Sequence, residues 1–336
     1  MAEAVVMQVA EVEALADKAL RKAGARPEAA QSFAKAIAAA ERDGLASHGL
    51  AYLPTYCEHL QCGKVIGTAV PKLERPAGAI ITADAGSGFA HPAIDAGFAE
   101  LIPLARKQGI AGLAIRNSYN CGVLAYHTER LAQQGLVGIG FTNAPASIAP
   151  SGGLKPVFGT NPWSLAAPDG KGGVAFVVDQ SASAIAKSEV MKRARLGEPI
   201  PLGWALGPDG QPTADPGIGL KGSMAPSGGY KGVGIALFVE LMAACLPGAS
   251  LGIDASPFSG PAGGPPRTGQ FFIAIDPGAT SNGVFAERIA GVLGAYAAQP
   301  GAQLPGSRRK ANRPRADRDG VKVDAAIAEK ARALAG

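Results

Sequence analysis

Cysteine, histidine and aromatic residues are scarce in this 336-residue chain, which has four cysteines, four histidines and two tryptophans. So few cysteines in a chain of this length do not form the disulfide framework that small secreted domains need. Aromatic residues make up 6% of the sequence, so we expect a core built mainly of Ala, Val, Leu and Ile. Cys57 and Cys62 flank His59 in a Cys-x-His-x-x-Cys pattern. Because no second pair stands at zinc spacing and the segment is predicted to be helical, we expect no metal site.

Long apolar runs are also missing. The sequence has no stretch of about 18 apolar residues and no charged leader followed by an apolar segment. We therefore expect a cytoplasmic protein with no membrane partner. Hydrophobic residues make up 47% of the chain and charged residues 18%, which is typical of a globular protein. A chain of this length is expected to form two domains or lobes.

The net charge of +5 is modest, and much of it lies late in the chain. Basic residues cluster between 308 and 318, at Arg308, Arg309, Lys310, Arg313, Arg315 and Arg318. Such a run is usually a solvated tail. No aromatic residue is interleaved with it, so we expect no nucleic-acid partner. A phosphate-bearing cofactor is another candidate partner for these charges.

Helical and strand-like patterns are mixed along the whole sequence, which predicts an α/β fold. Predicted helices cover 9–43 (two helices), 52–60, 92–108, 122–134, 183–197, 231–246, 284–298 and 323–335. Predicted strands cover 80–82, 110–115, 136–142, 164–167, 174–178 and 270–275. The strand, helix and strand between 110 and 142 are interpreted as a βαβ unit. Composition shifts near 120 and again in the Gly- and Pro-rich stretch 248–268, so one interpretation is a middle lobe inserted into a lobe built from both chain ends.

The tripeptide Ser47-His48-Gly49, just after a predicted helix, is the first candidate for chemistry. Histidine alone has an unperturbed pKa that lets it take and give a proton near neutral pH. Ser47 can orient the imidazole, and Gly49 leaves space beside it. A helix cap or a core histidine with satisfied hydrogen bonds is the alternative interpretation.

Two glycine-rich segments are candidate phosphate sites. Gly217-x-Gly219-x-x-Gly222 matches the dinucleotide fingerprint, but it follows a turn rather than a buried strand, so we reject it. Gly228-Gly229-Tyr230-Lys231-Gly232 opens a predicted helix, where backbone N–H groups and a lysine can cradle a phosphate. A glycine turn beside a solvated lysine is the alternative.

Polar residues follow several apolar segments. Gly159-Thr160-Asn161-Pro162 can hydrogen-bond a carboxylate, an amide or its own turn. The segment from Asn117 to Gly122 lies at the C-terminal end of a predicted strand, where open α/β sheets tend to bind ligands. Asp179, just after the strand residues Val177 and Val178, can hold an imidazole or a ribose hydroxyl, or can simply cap a helix.

Taken in order, these motifs resemble the malate/L-lactate dehydrogenase-like NAD(P)H oxidoreductases, which are unrelated to the Rossmann lactate dehydrogenases. The resemblance covers roughly residues 10–310 and is carried by Asp43-Gly44 with Ser47-His48-Gly49, Asn117-Ser118 with Gly122, Gly152-Gly153, Gly159-Thr160-Asn161-Pro162, Asp179, Ile200-Pro201-x-Gly203-Trp204, Asp209-Gly210 with Thr213-x-Asp215-Pro216, Lys231-Gly232 and Pro305-Gly306. It implies a non-Rossmann α/β fold with an inserted cofactor-binding lobe, and a homodimer. The helical substrate lobe would comprise 1–119 and 280–336, and the NAD(P)-binding lobe 120–279.

The resemblance also implies roles for individual residues. His48 would be the proton donor and acceptor, with Ser47 and Asp179 relaying the proton or orienting the ring, and Thr160 would touch the substrate. The cofactor would be bound by Asn143, Val177, Val178, Lys231, Gly232, Gly306 and Arg308. Because arginines lie near Gly306, we expect NADP(H) to be preferred, with NAD(H) as the other candidate.

Two positions depart from the family pattern. Tyr52 stands where many members carry an arginine that clamps a carboxylate, and Asn120 stands where many carry a second histidine. Both remain candidate substrate-binding residues, but neither carries charge. Segments such as Leu53–His59 look closest to the sulfolactate dehydrogenase branch. We therefore expect a small 2-oxo or 2-hydroxy acid substrate of the sulfolactate, malate or lactate type. The alternative is a cyclic ketimine reductase that acts on piperideine- or pyrroline-2-carboxylate.

Overall fold

Helices and strands are mixed throughout the computed structural model, which describes residues 4–336. The first half of the chain contains β1 (Ala4–Met7), α1 (Val9–Lys22), α2 (Pro27–Arg42), α3 (Leu53–Gln61), β2 (Lys72–Ala77), β3 (Ile80–Asp84), α4 (Ala90–Gln108), β4 (Ile110–Ser118), α5 (Leu124–Gln133), β5 (Val137–Thr142) and β6 (Trp163–Pro168). The second half contains β7 (Val174–Gln180), α6 (Lys187–Leu196), β8 (Ala205–Leu206), β9 (Pro212–Thr213), α7 (Pro216–Lys221), β10 (Ser223–Met224), α8 (Tyr230–Glu240), β11 (Thr268–Ile275), α9 (Pro277–Thr280), α10 (Phe285–Ala297), α11 (Ser307–Asp319), β12 (Val321–Asp324) and α12 (Ala325–Ala335).

A seven-stranded mixed sheet runs through the molecule in the order β2-β3-β4-β11-β5-β6-β7. Strands β3 and β4 pair in parallel, and each other neighbouring pair is antiparallel. Helices α4 and α5 cover one face, where Phe98 and Leu131 pack with Phe272 of the central strand. On the other face, Val239 of α8 packs against Phe141. With both faces covered, β4 is an almost continuous apolar run rather than an alternating one.

The two chain ends meet in a separate helical layer. Strand β1 pairs antiparallel with β12, and α1, α2, α3 and α12 share one core that includes Val12, Ile37, Leu53 and Ala328. The large sheet, however, joins strands from both sides of position 119. The division of the chain into two lobes stays a prediction.

Two sequence predictions need correction. The basic segment 308–318 is not a solvated tail but forms α11, in which Ala316 is buried, because the helix packs against the end of α2. The terminal helix begins at Ala325 rather than at 323, because Val321 and Val323 alternate inward in β12.

The predicted unit between 110 and 142 has the expected elements β4, α5 and β5. These two strands are not neighbours, because β11 inserts between them. The neighbouring parallel pair is instead β3 and β4, connected by α4. None of the helices described for residues 4–336 is both long and apolar enough to cross a membrane.

Candidate active site

His48 lies on a loop of two short 3-10 turns, Ala46–His48 and Leu50–Tyr52, that follows α2. We call residues 44–52 the His48 loop. The Ser47 hydroxyl lies 3.1 Å from Nδ1 of His48, where it can donate to or accept from that nitrogen. The ring is half-buried, and burial lowers the pKa of His48. Within the part of the chain that the structure describes, Nε2 makes no hydrogen bond, so it is available to a substrate.

A buried carboxylate supports this loop from beneath. Glu41 is 6% exposed, and its Oε1 accepts a 2.7 Å hydrogen bond from the backbone N–H of Leu50. A Cβ at Gly49 would overlap the same carboxylate, so glycine is required there for close packing. Burial raises the pKa of Glu41. Sequence reasoning missed this residue, although it stands four positions after the buried Ile37, on the apolar face of α2.

The three predicted substrate contacts are partly engaged by the chain itself. The Tyr52 hydroxyl donates to the Phe258 carbonyl at 2.7 Å, and Oδ1 of Asn120 accepts from the Gly122 N–H at 2.6 Å. Thr160 uses its backbone carbonyl to accept from Ala182 N–H at 2.8 Å. The Thr160 hydroxyl and the Asn120 amide nitrogen make no hydrogen bond within residues 4–336, so they can serve a ligand.

The turn that carries Thr160 is held by a buried network. Asn161, with a φ of 37°, donates from Nδ2 to the Ala236 carbonyl at 2.9 Å and to Oε2 of Glu240 at 2.8 Å. The other oxygen of Glu240 accepts from the Gly252 N–H at 2.6 Å. Glu240 was not predicted from the sequence. It is the single carboxylate of the apolar helix α8, and the sequence does not indicate which groups it contacts.

A Gly- and Pro-rich segment, which we call the 256–264 loop, closes over α3. Lys64 is fully buried, and its Nζ donates to the carbonyls of Pro257 (2.5 Å), Gly260 (3.0 Å) and Ala262 (2.7 Å). His59 also contacts the Gly260 carbonyl through Nε2 at 3.0 Å, and its Nδ1 lies 2.5 Å from the Tyr119 hydroxyl. Together with the hydrogen bond from Tyr52, these side chains hold the 256–264 loop next to the His48 loop. The Cys-x-His-x-x-Cys pattern therefore contributes its histidine to this packing.

Asp179 is placed at the start of α5. Its Oδ2 accepts from the Ala125 N–H at 2.9 Å and lies 3.9 Å from Nη1 of Arg309. Burial raises the pKa of Asp179, while the Ala125 N–H and Arg309 oppose that shift. These are the contacts of a helix cap with a neighbouring cation. A relay from Asp179 to His48 stays a prediction.

Val177 and Gly306 line a common cavity of about 380 Å³ between β7, α5 and the start of α11, which we call the β7–α11 cavity. Gly306 has a φ of 81°, and a Cβ there would lie 2.9 Å from the Val177 carbonyl oxygen, so the turn requires glycine. Arg309 and Lys310 also line the cavity. Arg308, the predicted cofactor contact, is exposed at the same helix start. The sequence predicted the basic segment but not which of its residues face the cavity.

The remaining predicted cofactor residues lie on other elements. Asn143 is buried and bridges the Ser250 carbonyl and the Gly269 N–H, both at 2.9 Å. Val178 is half-buried on β7. Gly232 lies in the first turn of α8, where a Cβ would overlap the Ser227 carbonyl, and Lys231 beside it is exposed. The structure thus forms the predicted glycine-rich helix start, and its contact with a cofactor stays a prediction.

Comparison with known proteins identifies the family to which the chain belongs. The profile of the malate/L-lactate dehydrogenase family matches residues 7–331. The chain is 42% identical over 330 residues to the (2R)-3-sulfolactate dehydrogenase (NADP(+)) of Chromohalobacter salexigens, covering 98% of each chain. It is 39% identical over 337 residues to a Δ1-pyrroline-2-carboxylate reductase of Ancylobacter novellus, covering 99% of this chain and 98% of the relative. The solved Δ1-piperideine-2-carboxylate reductase of Pseudomonas syringae superposes with a TM-score of 0.93 at 35% identity, covering 98% of this chain and 99% of that chain.

These similarities confirm the resemblance seen in the motifs and the predicted fold class. They also confirm the prediction of an NAD(P)-dependent oxidoreductase. The chain belongs to the malate/L-lactate dehydrogenase family.

Proposed function

We propose that this protein transfers a hydride between NADP(H) and C2 of a small 2-oxo or 2-hydroxy acid of the sulfolactate, malate or lactate type. The observation that carries the proposal is the His48 loop, in which Ser47 contacts Nδ1 and Nε2 of the half-buried ring makes no hydrogen bond within the described residues. The cofactor, when bound, supplies or accepts the hydride. The protein then has to supply one proton, and His48 is the side chain placed to do so.

The β7–α11 cavity fits an anionic cofactor. Arg309 and Lys310 line it at the start of a 13-residue helix, where cations and free backbone N–H groups favour phosphate. Gly306 lets the backbone approach β7 closely. We infer that Val177, Val178, Gly306 and Arg308 lie along the cofactor, together with Asn143, Lys231 and Gly232. The cations favour NADP(H) over NAD(H), and the sulfolactate dehydrogenase relative is named for NADP(+).

The proton step follows from the state of His48. In reduction, the protonated ring donates the proton on Nε2 to the heteroatom at C2 and becomes neutral, with its remaining proton on Nδ1 facing the Ser47 hydroxyl. In oxidation, Nε2 of the neutral ring takes the proton back. Ser47 orients the ring, and Asp179 is proposed to support it electrostatically. Burial lowers the pKa of His48, so the protonated ring becomes populated only at a pH below the usual pKa range of histidine. Reduction should therefore become faster as the pH falls through that lowered pKa, while oxidation should become slower.

Tyr52 favours a second candidate, reduction of a cyclic ketimine. Its hydroxyl is already used by Phe258, and the ring is uncharged, so it cannot clamp a second anionic group as arginine would. A protonated cyclic imine with one carboxylate has no net charge, and its cation can lie against the aromatic face. Two of the relatives described above are named as reductases of such substrates.

A substrate panel separates the two candidates. Sulfopyruvate, oxaloacetate, pyruvate and piperideine-2-carboxylate would each be tested with NADPH and NADH, with nicotinamide absorbance as the readout. Turnover of a 2-oxo acid supports the first proposal, and turnover of the imine alone supports the second. Absence of turnover with all four would contradict both.

We also propose a cytoplasmic homodimer with the two-lobe division expected from the sequence. Helix α8 exposes Leu237 and Phe238, and α10 is apolar yet has no buried residue. Exposed apolar surface of this extent favours a second copy as its cover. Light scattering of the purified protein would test the dimer, and Leu237→Glu should shift it toward monomer.

A further inference from the structure

Arg313, in the middle of α11, is held by two carboxylates at once. Its Nε and Nη2 lie 2.6 and 2.8 Å from the two oxygens of Asp43. Its Nη1 and Nη2 lie 2.5 and 2.6 Å from the two oxygens of Glu129. The three side chains are only 22%, 11% and 13% exposed. Two bidentate pairs on one guanidinium leave it little freedom, because planar charge-assisted bonds fix orientation as well as distance.

The two carboxylates belong to different parts of the candidate active site. Asp43 directly follows α2 and stands five residues before His48, at the base of the His48 loop. Glu129 is on α5, whose first turn is capped by Asp179. Glu129 and Arg313 both line the β7–α11 cavity. One guanidinium therefore connects the wall of that cavity with the base of the loop that carries His48.

Other contacts fasten α11 to the same end of α2. Nδ2 of Asn312 donates to the Arg42 carbonyl at 2.8 Å. Arg42 and Asp317 form an ion pair at 2.5 Å, but these side chains are 36% and 45% exposed. The exposed pair joins the same two helices without lining the cavity, so it offers a matched control.

We propose that Arg313 is a positioning residue that couples cofactor occupancy of the β7–α11 cavity to the order of the His48 loop, so that cofactor binding prepares the site for substrate. The proposal rests on the proposed function, in that NADP(H) occupies this cavity. An anion held by the first turn of α11 restrains that helix. Because Arg313 ties α11 to Asp43, the restraint extends to the loop, and a second ligand then loses less conformational freedom on binding.

The test is hydrogen–deuterium exchange of the whole protein with and without NADPH. In the wild type, NADPH should slow exchange at 304–310 and also at 44–52. Asp43→Asn removes the loop side of the junction and leaves Glu129 in place. That variant should keep the protection at 304–310 and lose it at 44–52. Its kcat should fall about tenfold, in the usual range of coupling between sites, while the Kd for NADPH changes less than about threefold.

Two further variants complete the test. Asp317→Asn breaks the exposed pair between the same helices and should retain both protection and kcat. Glu129→Gln breaks the cavity side and should weaken loop protection while Asp43 stays paired. Arg313→Met is less informative, because it leaves two facing carboxylates that can prevent folding.

The outcomes distinguish this inference from the proposed function. Protection at 304–310 without any at 44–52 in the wild type would overturn the coupling and leave the cofactor site supported. Retained loop protection in Asp43→Asn would overturn it as well. If NADPH binds but protects neither segment, or does not bind at all, the cofactor assignment to this cavity fails, and the inference fails with it.

Discussion

Polar side chains serve different purposes at the two ends of the candidate active site. At the end proposed for the substrate, Lys64 gives all its hydrogen bonds to carbonyls of the 256–264 loop, and Tyr52 donates to the same loop. At the end proposed for the cofactor, Arg309 and Lys310 line the β7–α11 cavity. Lys64, whose hydrogen bonds all go to backbone carbonyls, stabilises the position of the 256–264 loop. Arg309 and Lys310, which line a cavity, can bind an anion. We therefore expect recognition of ligand charge mainly at the end proposed for the cofactor.

Removal of the His48 side chain should have the largest effect. His48→Ala should lower kcat at least ~100-fold, because general acid–base catalysis contributes that much or more. Fluorescence titration should show unchanged NADPH affinity, since the ring is assigned to the proton step. Near-normal turnover in this variant would show that another group carries the proton.

Substitution of Lys64 should release the 256–264 loop. Lys64→Met leaves three loop carbonyls without their donor and should lower the free energy of unfolding by about 2–3 kcal/mol, the size of hydrogen bonds to a charged group. The KM for substrate should rise with it, since the 256–264 loop would loosen. Lys72→Met, at an exposed lysine on β2, is the control and should change neither quantity. Equal urea midpoints for the two variants would contradict the role of Lys64.

Acid should lower the stability of the fold through its buried histidines. His127 is fully buried and donates to the Cys121 carbonyl, and burial lowers its pKa to about 4. Its unfolded pKa is near 6.5, so the unfolded state binds the proton first and stability is lost as the pH falls from about 6.5 toward 4. Between pH 7.5 and 5 the loss should be about 2 kcal/mol for this ring.

Urea unfolding at both pH values would measure this loss. His127→Gln keeps a donor for Cys121 without a titrating ring, so its stability should depend less on pH. His91, whose pKa burial also lowers, should account for part of the remaining dependence. An unchanged pH dependence in His127→Gln would exclude His127 as a source of acid sensitivity.

Removal of one charge that lines the β7–α11 cavity tests the expected preference for NADPH. Arg309→Ala should raise the KM for NADPH about tenfold, the size of one charge-assisted hydrogen bond, and leave the KM for NADH nearly unchanged. Arg315→Ala removes an exposed arginine of the same helix that does not line the cavity and should affect neither constant. If both cofactors lose affinity equally, the charge does not discriminate between them.

The smallest effect is expected from Tyr52→Phe. The hydroxyl is already bonded to Phe258, so its loss should cost about 1 kcal/mol of stability. We expect kcat/KM to change less than about threefold, because the hydroxyl is not available to the substrate. A tenfold rise in KM would instead show that Tyr52 leaves Phe258 and binds the substrate carboxylate.

Sequence patterns predicted most of the elements that position the site. The two helices before the His48 loop lie at Val9–Lys22 and Pro27–Arg42, within the predicted 9–43. The strand predicted at 110–115 lies within β4. Such patterns succeed because apolar periodicity reports how a local segment buries one face. They failed at 308–318, where charge dominated the pattern and the partners of α11 lie far away in the sequence.

By itself, the sequence determined the α/β class, the family and the Ser47-His48-Gly49 tripeptide, since each is readable in residue order and spacing. Tertiary structure alone decided that Glu41 lies beneath the His48 loop, that Lys64 binds the 256–264 loop, and that Arg313 joins Asp43 to Glu129. Arg313 stands 270 and 184 positions from those two carboxylates, and no local pattern encodes pairings of that range. They form because folding brings the end of α2, the face of α5 and the middle of α11 together, where a buried charge is stable only with its partners.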